Sequence, residues 1–195
     1  MAMAAGPRSI GTTTHDRWMR PLTVLAISGS LRKASLNTAM LTMAAACAPP
    51  VMQVTLCDVL GALPLFNPDL ETNEPAAVAR LRHDIAAADA VLVASPEYAH
   101  GVSGVMKNAL DWMVASGVFV DKPVVLWNAS PRASHALAAL RETLTVMSAN
   151  LIAEAELELL IQWSDDGVSP FNPDPGSMYR SLKHLAQVLR APLAR

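Results

Sequence analysis

Leu22-Thr23-Val24-Leu25-Ala26-Ile27-Ser28 is an almost unbroken apolar run that stops at Gly29. Two more runs of this kind follow, Ala90–Ala94 (AVLVA) and Pro123–Ala129 (PVVLWNA). Continuous apolar strands are what a parallel sheet covered on both faces requires; a strand with one wet face alternates instead. Val51–Val59 does alternate, and reads as a strand near a sheet edge. Leu151–Ile161 alternates too, and reads as a fifth strand. Between the strands lie helical stretches: Leu36–Ala48, stopped by Pro49 and Pro50, then Ala76–Ala88, Ser103–Ala115 and His135–Ala149. Ser177–Arg190 reads as a closing helix, and Gly61–Pro75, rich in Pro, Asn and Asp, as a long loop. Alternating strands and helices imply five parallel strands joined by right-handed helical crossovers. The fold class is therefore α/β, a doubly wound sheet with helices on both faces.

The bulk numbers agree with one domain over residues 22–195. The 195 residues can bury a proper core without disulfides or structural metals. Hydrophobic residues make up 52% and aromatics only 5%, so Ala, Val, Leu and Met carry the apolar content. A net charge of -2 argues against a nucleic-acid partner, which a basic excess would mark. No apolar run approaches the ~18 residues of a membrane span, so no membrane partner is expected. Residues 1–21 have no hydrophobic signal core and read as a flexible leader. Cys47 and Cys57 have no metal or redox spacing, and read as two buried or partly buried thiols in a reducing cytoplasm.

In a doubly wound sheet the ligand site lies beyond the carboxyl ends of the strands, where the winding reverses. The loops that matter are those after Ser28, Ala94 and Ala129. The first runs Ser28-Gly29-Ser30-Leu31-Arg32-Lys33-Ala34-Ser35-Leu36-Asn37, from a buried strand into a helix start. Helix N-termini leave N–H groups unpaired and favour an anion. The hydroxyls of Ser28, Ser30 and Ser35, the fork of Arg32 and the amide of Asn37 form a donor cluster around that end. There is no G-x-G-x-x-G for a dinucleotide pyrophosphate and no P-loop. Side chains stand where glycines would, which suits a terminal monophosphate.

The second loop reads Ser95-Pro96-Glu97-Tyr98-Ala99-His100-Gly101-Val102-Ser103-Gly104 and leads into Val105-Met106-Lys107-Asn108-Ala109-Leu110-Asp111-Trp112. Pro96 ends the strand. Gly101 and Gly104 let backbone approach a flat ligand, and Tyr98 adds an aromatic surface with a polar tip. Trp112 reads as core, and Lys107 with Asp111 as a surface pair at i,i+4 spacing. No pair of histidines has metal-ligand spacing, so no metal is expected. Gly101-Val102-Ser103-Gly104-Val105 nearly spells a nucleophile elbow but lacks its final Gly, which weighs against a hydrolase.

Together the two loops resemble the NADPH-dependent FMN reductase family. Gly29-to-Asn37 is similar to its G-S-x-R-x-x-S-x-N phosphate loop, and Pro96-to-Trp112 to its P-E-Y-N-x-x-x-P-G-x-L-K-N-A-x-D-W segment. The resemblance implies a flavodoxin-like fold with strand order 2-1-3-4-5 and non-covalent FMN, with NADPH or NADH as co-substrate. It implies that Ser30, Arg32, Ser35 and Asn37 hold the FMN phosphate, with Ser28 and Leu36 in the same loop. Pro96, Glu97 and Tyr98, followed by Ala99, His100 and Gly101, would line the ribityl chain and the ring. Ser130, Pro131 and Arg132 of the third loop would complete the flavin edge. The chain departs from the family pattern at Ala99 and His100, at Ser103 where Pro is usual, and in the Ser-Pro-Arg-Ala-Ser third loop.

The flavin carries the chemistry, so no catalytic side chain is expected. Hydride passes from nicotinamide to flavin and then to a small-molecule acceptor, by turns on one face. The alternative is a flavodoxin-type electron carrier or a flavin-binding sensory module. A carrier usually shows a strongly acidic docking face, of which a charge of -2 gives little sign. Val105, Leu110, Trp112 and Met113 spread over a wide arc of their helix, and Leu63, Leu65 and Phe66 sit among prolines. Such surfaces call for a partner, so a homodimer or homotetramer is expected.

Overall fold

The computed structural model describes residues 20–130, 132–159 and 174–191. In chain order the elements are β1 (Leu22–Ser28), α1 (Leu36–Ala46), β2 (Met52–Leu56), α2 (Ala76–Ala87), β3 (Ala90–Ala94), β4 (Glu97–Tyr98), β5 (Gly101–Val102), α3 (Gly104–Val114), β6 (Pro123–Asn128), α4 (Ser134–Val146), β7 (Asn150–Leu151), β8 (Leu157–Glu158) and α5 (Pro175–Arg190). The main sheet runs β2-β1-β3-β6-β7, with β8 also on β6, and every pairing in it is parallel. This is the expected 2-1-3-4-5 order, the flavodoxin-like arrangement, with the fifth place shared by β7 and β8.

Burial explains why the central strands lack polar alternation. Leu92 packs on one side of the sheet with Met40 and Leu41 of α1 and Leu182 of α5. Val91 and Val93 point to the other side, against α2, α3 and α4. Both faces are dry, and each fully buried aliphatic side chain contributes about 1.5–3 kcal/mol. In β2, Met52 and Val54 are buried while Gln53 and Thr55 are exposed, as an edge strand requires.

Three expectations shift. The second strand ends at Leu56 rather than Val59, because Val59 and Leu60 turn inward as buried residues at the start of a short 3-10 turn over Leu60–Ala62. The fifth strand is not continuous over 151–161: a 3-10 turn at Ala153–Ala155 splits it. The cause is Trp127, buried in β6, whose indole N–H donates to the Ala155 carbonyl at 3.2 Å and to Ser181 Oγ at 3.1 Å. The turn presents that carbonyl, which a straight strand would spend on the ladder. Residues 160–161 lie outside the described residues. The Gly61–Pro75 stretch is likewise not loop throughout, since Pro68–Asn73 forms 3-10 turns. Cys47 and Cys57 are half-buried free thiols, and burial pushes both thiols up.

Arg20, assigned by the sequence to the leader, is tied to the domain. Its guanidinium donates to both carboxylate oxygens of Asp89 at 2.8 and 2.6 Å. Asp89 also accepts from Thr23 N and Thr23 Oγ1, linking the start of β1 to the residue before β3. Burial pushes the Asp89 carboxyl up, but the Arg20 and Thr23 hydrogen bonds outweigh it and hold the group below the usual aspartate range. A depressed folded pKa adds stability that is present above the unfolded value, ~3.9, and is lost as pH falls through the folded value. We expect Asp89→Asn to cost about 1.5–3 kcal/mol at pH 7. In urea unfolding the gap to the parent should close below pH ~4; a gap that does not change with pH would contradict this role.

Candidate functional site

The site is assembled at the carboxyl ends of β1, β3 and β6. In the first loop, Gly29 N donates to Ala94 O at 2.8 Å, so the chain leaves β1 pressed against β3. The turn is then shaped by its own hydroxyls: Ser30 N donates to Ser28 Oγ and Arg32 N to Ser30 Oγ, each at 3.3 Å. Ser28 Oγ also pairs with Thr38 Oγ1 at 2.8 Å, which makes Ser28 a scaffold residue. Ser35 is the N-cap of α1 and accepts from Thr38 N. Its lone pair is spent on the cap, while its proton remains available to an acceptor oxygen. Arg32 and Lys33 stand exposed at the rim. Asn37, in the first turn of α1, is buried, and its Oδ1 has no hydrogen-bond partner among the described residues. A buried polar atom without a partner costs about 1–3 kcal/mol. Because Asn37 lines the cavity, that oxygen is available to a donor on a ligand.

The second loop is a β-hairpin. Glu97–Tyr98 pairs antiparallel with Gly101–Val102, and the two tip residues, Ala99 and His100, have φ of 49° and 59°. Both tip positions are left-handed, as tight hairpins prefer, and two non-glycine residues there are a strained choice. Glu97 braces the hairpin. Its Oε2 accepts from Ala136 N at 2.8 Å, in the first turn of α4, whose own N-cap residue Ala133 has no side chain for the task. Its Oε1 lies 3.3 Å from His100 Nδ1, and the His100 ring meets His135 edge to face at 4.3 Å. Tyr98 is exposed.

In the third loop, Asn128 Oδ1 accepts from Ser130 N at 3.1 Å, and Ser130 Oγ accepts from Arg132 N at 3.3 Å. Pro131, an expected flavin-edge residue, lies outside the described residues. Between the loops is a cavity of roughly 370 Å³, lined among others by Asn37, Pro96, Glu97, Asn128, Ser130 and Arg132. This is the size range of small-molecule sites. The structure thus brings Leu36, Asn37, Pro96, Glu97, Ser130 and Arg132 to one wall. Ser30, Arg32 and Ser35 sit along the adjoining turn, and Tyr98, Ala99 and His100 form the hairpin tip outside that lining.

Several contributors escape a sequence reading. Ser103 is 1% exposed, caps α3 by accepting from Met106 N and donates to Gly29 O at 2.6 Å. It therefore replaces the family's usual proline with a stitch between the first two loops. A hydroxyl so buried and so engaged is no nucleophile, which removes the hydrolase reading. Gly101 and Gly104 meet little: a Cβ at Gly101 would have only Tyr98 O at 3.5 Å, and one at Gly104 nothing within 4 Å. The glycine that packing demands is Gly29.

Residues 22–159 match the family described as NADPH-dependent FMN reductase. The chain belongs to this family. An NAD(P)H-dependent FMN reductase of Pseudomonas aeruginosa is 40% identical over 140 residues, covering 69% of this chain and 75% of that protein. An NADPH:quinone oxidoreductase of Arabidopsis thaliana is 43% identical over 109 residues, covering 53% of this chain and 55% of that protein. The matched segment thus spans little more than half of the plant relative. Among solved structures, the flavoenzyme NAD(P)H:(acceptor) oxidoreductase FerB of Paracoccus denitrificans superposes with a TM-score of 0.66 at 29% identity, over 86% of this chain and 91% of that one.

The donor set fits FMN. A phosphate needs clustered donors at a helix N-terminus, which the turn from Ser30 to Ser35 supplies. The unpartnered Asn37 oxygen and the cavity beside it leave room for the polar chain and ring that follow.

Proposed function

We propose that this member of the FMN reductase family takes hydride from NAD(P)H and passes electrons to a quinone, a flavin or a similar small acceptor. The observation that carries the reading is the hydroxyl-built turn at the start of α1, opening onto a cavity at the carboxyl ends of β3 and β6. Ser30, Arg32, Ser35 and Asn37 would hold the phosphate, and Pro96 and Glu97 the ribityl chain and ring. FMN, when bound, supplies the hydride chemistry. The residues of this chain bind and orient it. Glu97 does so indirectly, by locking the hairpin to α4 through Ala136 N and so fixing the mouth of the cavity.

Donor and acceptor would share the cavity at the carboxyl ends of β3 and β6 by turns. We expect purified protein to absorb in the visible, NADPH alone to bleach it, and double-reciprocal plots to run parallel. Intersecting plots would rule out shared occupancy, and a flavin left oxidised by both NADPH and NADH would rule out the reductase.

The same proposal includes a single domain over 22–195, to which Arg20 is tied through Asp89, a cytoplasmic setting and a homodimer or homotetramer. Among the described residues no helix is long and apolar enough to cross a membrane. The wide apolar arc of α3 is covered within the chain: Leu110, Trp112 and Met113 are buried, Phe66 packs edge-on against Trp112 at 5.1 Å, and Pro64 O accepts from Trp112 Nε1 and Asn108 Nδ2. What supports association is the exposed Leu65 of the prolyl loop, at 83%, and Val114 at the end of α3, at 58%. Sedimentation of FMN-loaded protein at micromolar concentration should give an assembly larger than a monomer; a clean monomer contradicts it.

A further inference from the structure

We infer that the guanidinium of Arg132 sets the reduction potential of the bound FMN, by balancing the negative charge that the ring gains at its pyrimidine edge. The inference rests on the FMN reading above and deepens it. Three observations lead to it.

The first is the charge inventory of the cavity. Among the described residues that line it, the formally charged ones are Glu97 and Arg132. Glu97 is held there by Ala136 N and faces His100, so its carboxylate cannot swing away without uncapping α4. A fixed negative charge beside a ring that is to become negative opposes reduction. Arg132 is the lining cation that can offset it.

The second is that the third loop has used up its backbone donors. Ser130 N is given to Asn128 Oδ1, Arg132 N to Ser130 Oγ, and Ala133 N to Ser130 O at 3.0 Å. Residue 131 is a proline and has no N–H. From 130 to 133 no main-chain N–H is left for a ligand, so this stretch can offer only side-chain donors. A glycine-rich loop could turn its amides toward a flavin; this one has turned them into itself.

The third is chemical fit. The pyrimidine edge of a flavin presents a ring nitrogen next to a carbonyl oxygen, two acceptors side by side, which the planar fork of an arginine matches. A hydride brings two electrons and one proton. NAD(P)H leaves as NAD(P)+, and the ring keeps one net negative charge unless a solvent proton follows. Donors aimed at such developing charge stabilise it most in a site of restricted water.

The test is the two-electron midpoint potential of FMN-loaded protein, measured spectroelectrochemically, together with the dissociation constant of oxidised FMN from fluorescence titration. In Arg132→Ala, reduced FMN should lose affinity roughly tenfold more than oxidised FMN, and the potential should fall by about 30 mV for that tenfold in a two-electron couple. Arg132→Lys, which keeps the charge and loses the fork, should lie between Ala and the parent. If both redox forms lose affinity by the same factor, or the potential stays at the parent value, Arg132 does not set the potential and the inference fails alone. Parent protein that takes up no FMN overturns the cofactor reading and this inference with it.

Discussion

Gly29→Ala is expected to abolish FMN uptake at micromolar cofactor. A Cβ added there would sit 2.4 Å from Ser95 Oγ, 2.8 Å from Ser95 Cβ and 3.0 Å from Ser103 Oγ. None of these atoms can retreat cheaply. Ser95 follows directly on β3, whose last residue accepts the Gly29 N–H, and Ser103 is buried with its hydroxyl on Gly29 O. The methyl group must therefore push the first two loops apart where they are stitched together. Overpacking of this kind costs about 1–3 kcal/mol in stability. The loss in binding should be larger, because the displaced segments are the turn that would hold the phosphate and the hairpin at the cavity mouth. We expect FMN affinity to drop by more than about a hundredfold, or about 2.8 kcal/mol. Titration of flavin fluorescence measures it. Adding Ser95→Gly removes the two closest atoms and should restore most of the binding; a double variant as impaired as the single one would place the cause elsewhere.

Arg32→Ala is expected to weaken FMN roughly tenfold to a hundredfold, the value of a charge-assisted hydrogen bond of about 1.5–3 kcal/mol at ~1.4 kcal/mol per decade. Its side chain stands at the exposed rim of the turn whose backbone is already ordered by Ser28 and Ser30. Two controls separate charge from shape. Arg32→Lys should recover part of the affinity, and the deficit of Arg32→Ala should shrink as salt screens the phosphate. An unchanged dissociation constant would remove Arg32 from the phosphate site.

The hairpin shows how the cavity mouth is held despite an unfavourable backbone. Ala99 and His100 occupy left-handed positions that glycine or asparagine would adopt more easily. The strain is offset by contacts that reach across the fold: Glu97 to the first turn of α4, and His100 to Glu97 and His135. Tyr98, exposed beside them, is free to meet whatever stacks at the mouth.

The sequence by itself determined the frame. β1 and β3 fall where their apolar runs lie, because a strand dry on both faces leaves a signature that no neighbour can alter. β2 was legible as an edge strand from its alternation, and the hydroxyl-rich turn from clustered serines before a helix. Helix ends were legible to within a few residues. The closing helix, expected from Ser177, starts two residues earlier: Pro175 opens α5 at its first position, where the missing N–H costs nothing.

Only the tertiary structure decided the rest. The break in the fifth strand is set by Trp127, 28 residues from the carbonyl it binds. The folding-back of the prolyl loop onto α3 depends on Asn108 and Trp112, 42 to 48 residues from their partners in that loop. Glu97 gains its bracing role from an amide 39 residues on, and Ser103 its stitch from a carbonyl 74 residues back. Patterns along the chain record which face of an element is dry. They do not record which distant group meets an uncapped amide or a buried indole, because that partner is chosen by the packing of elements already formed.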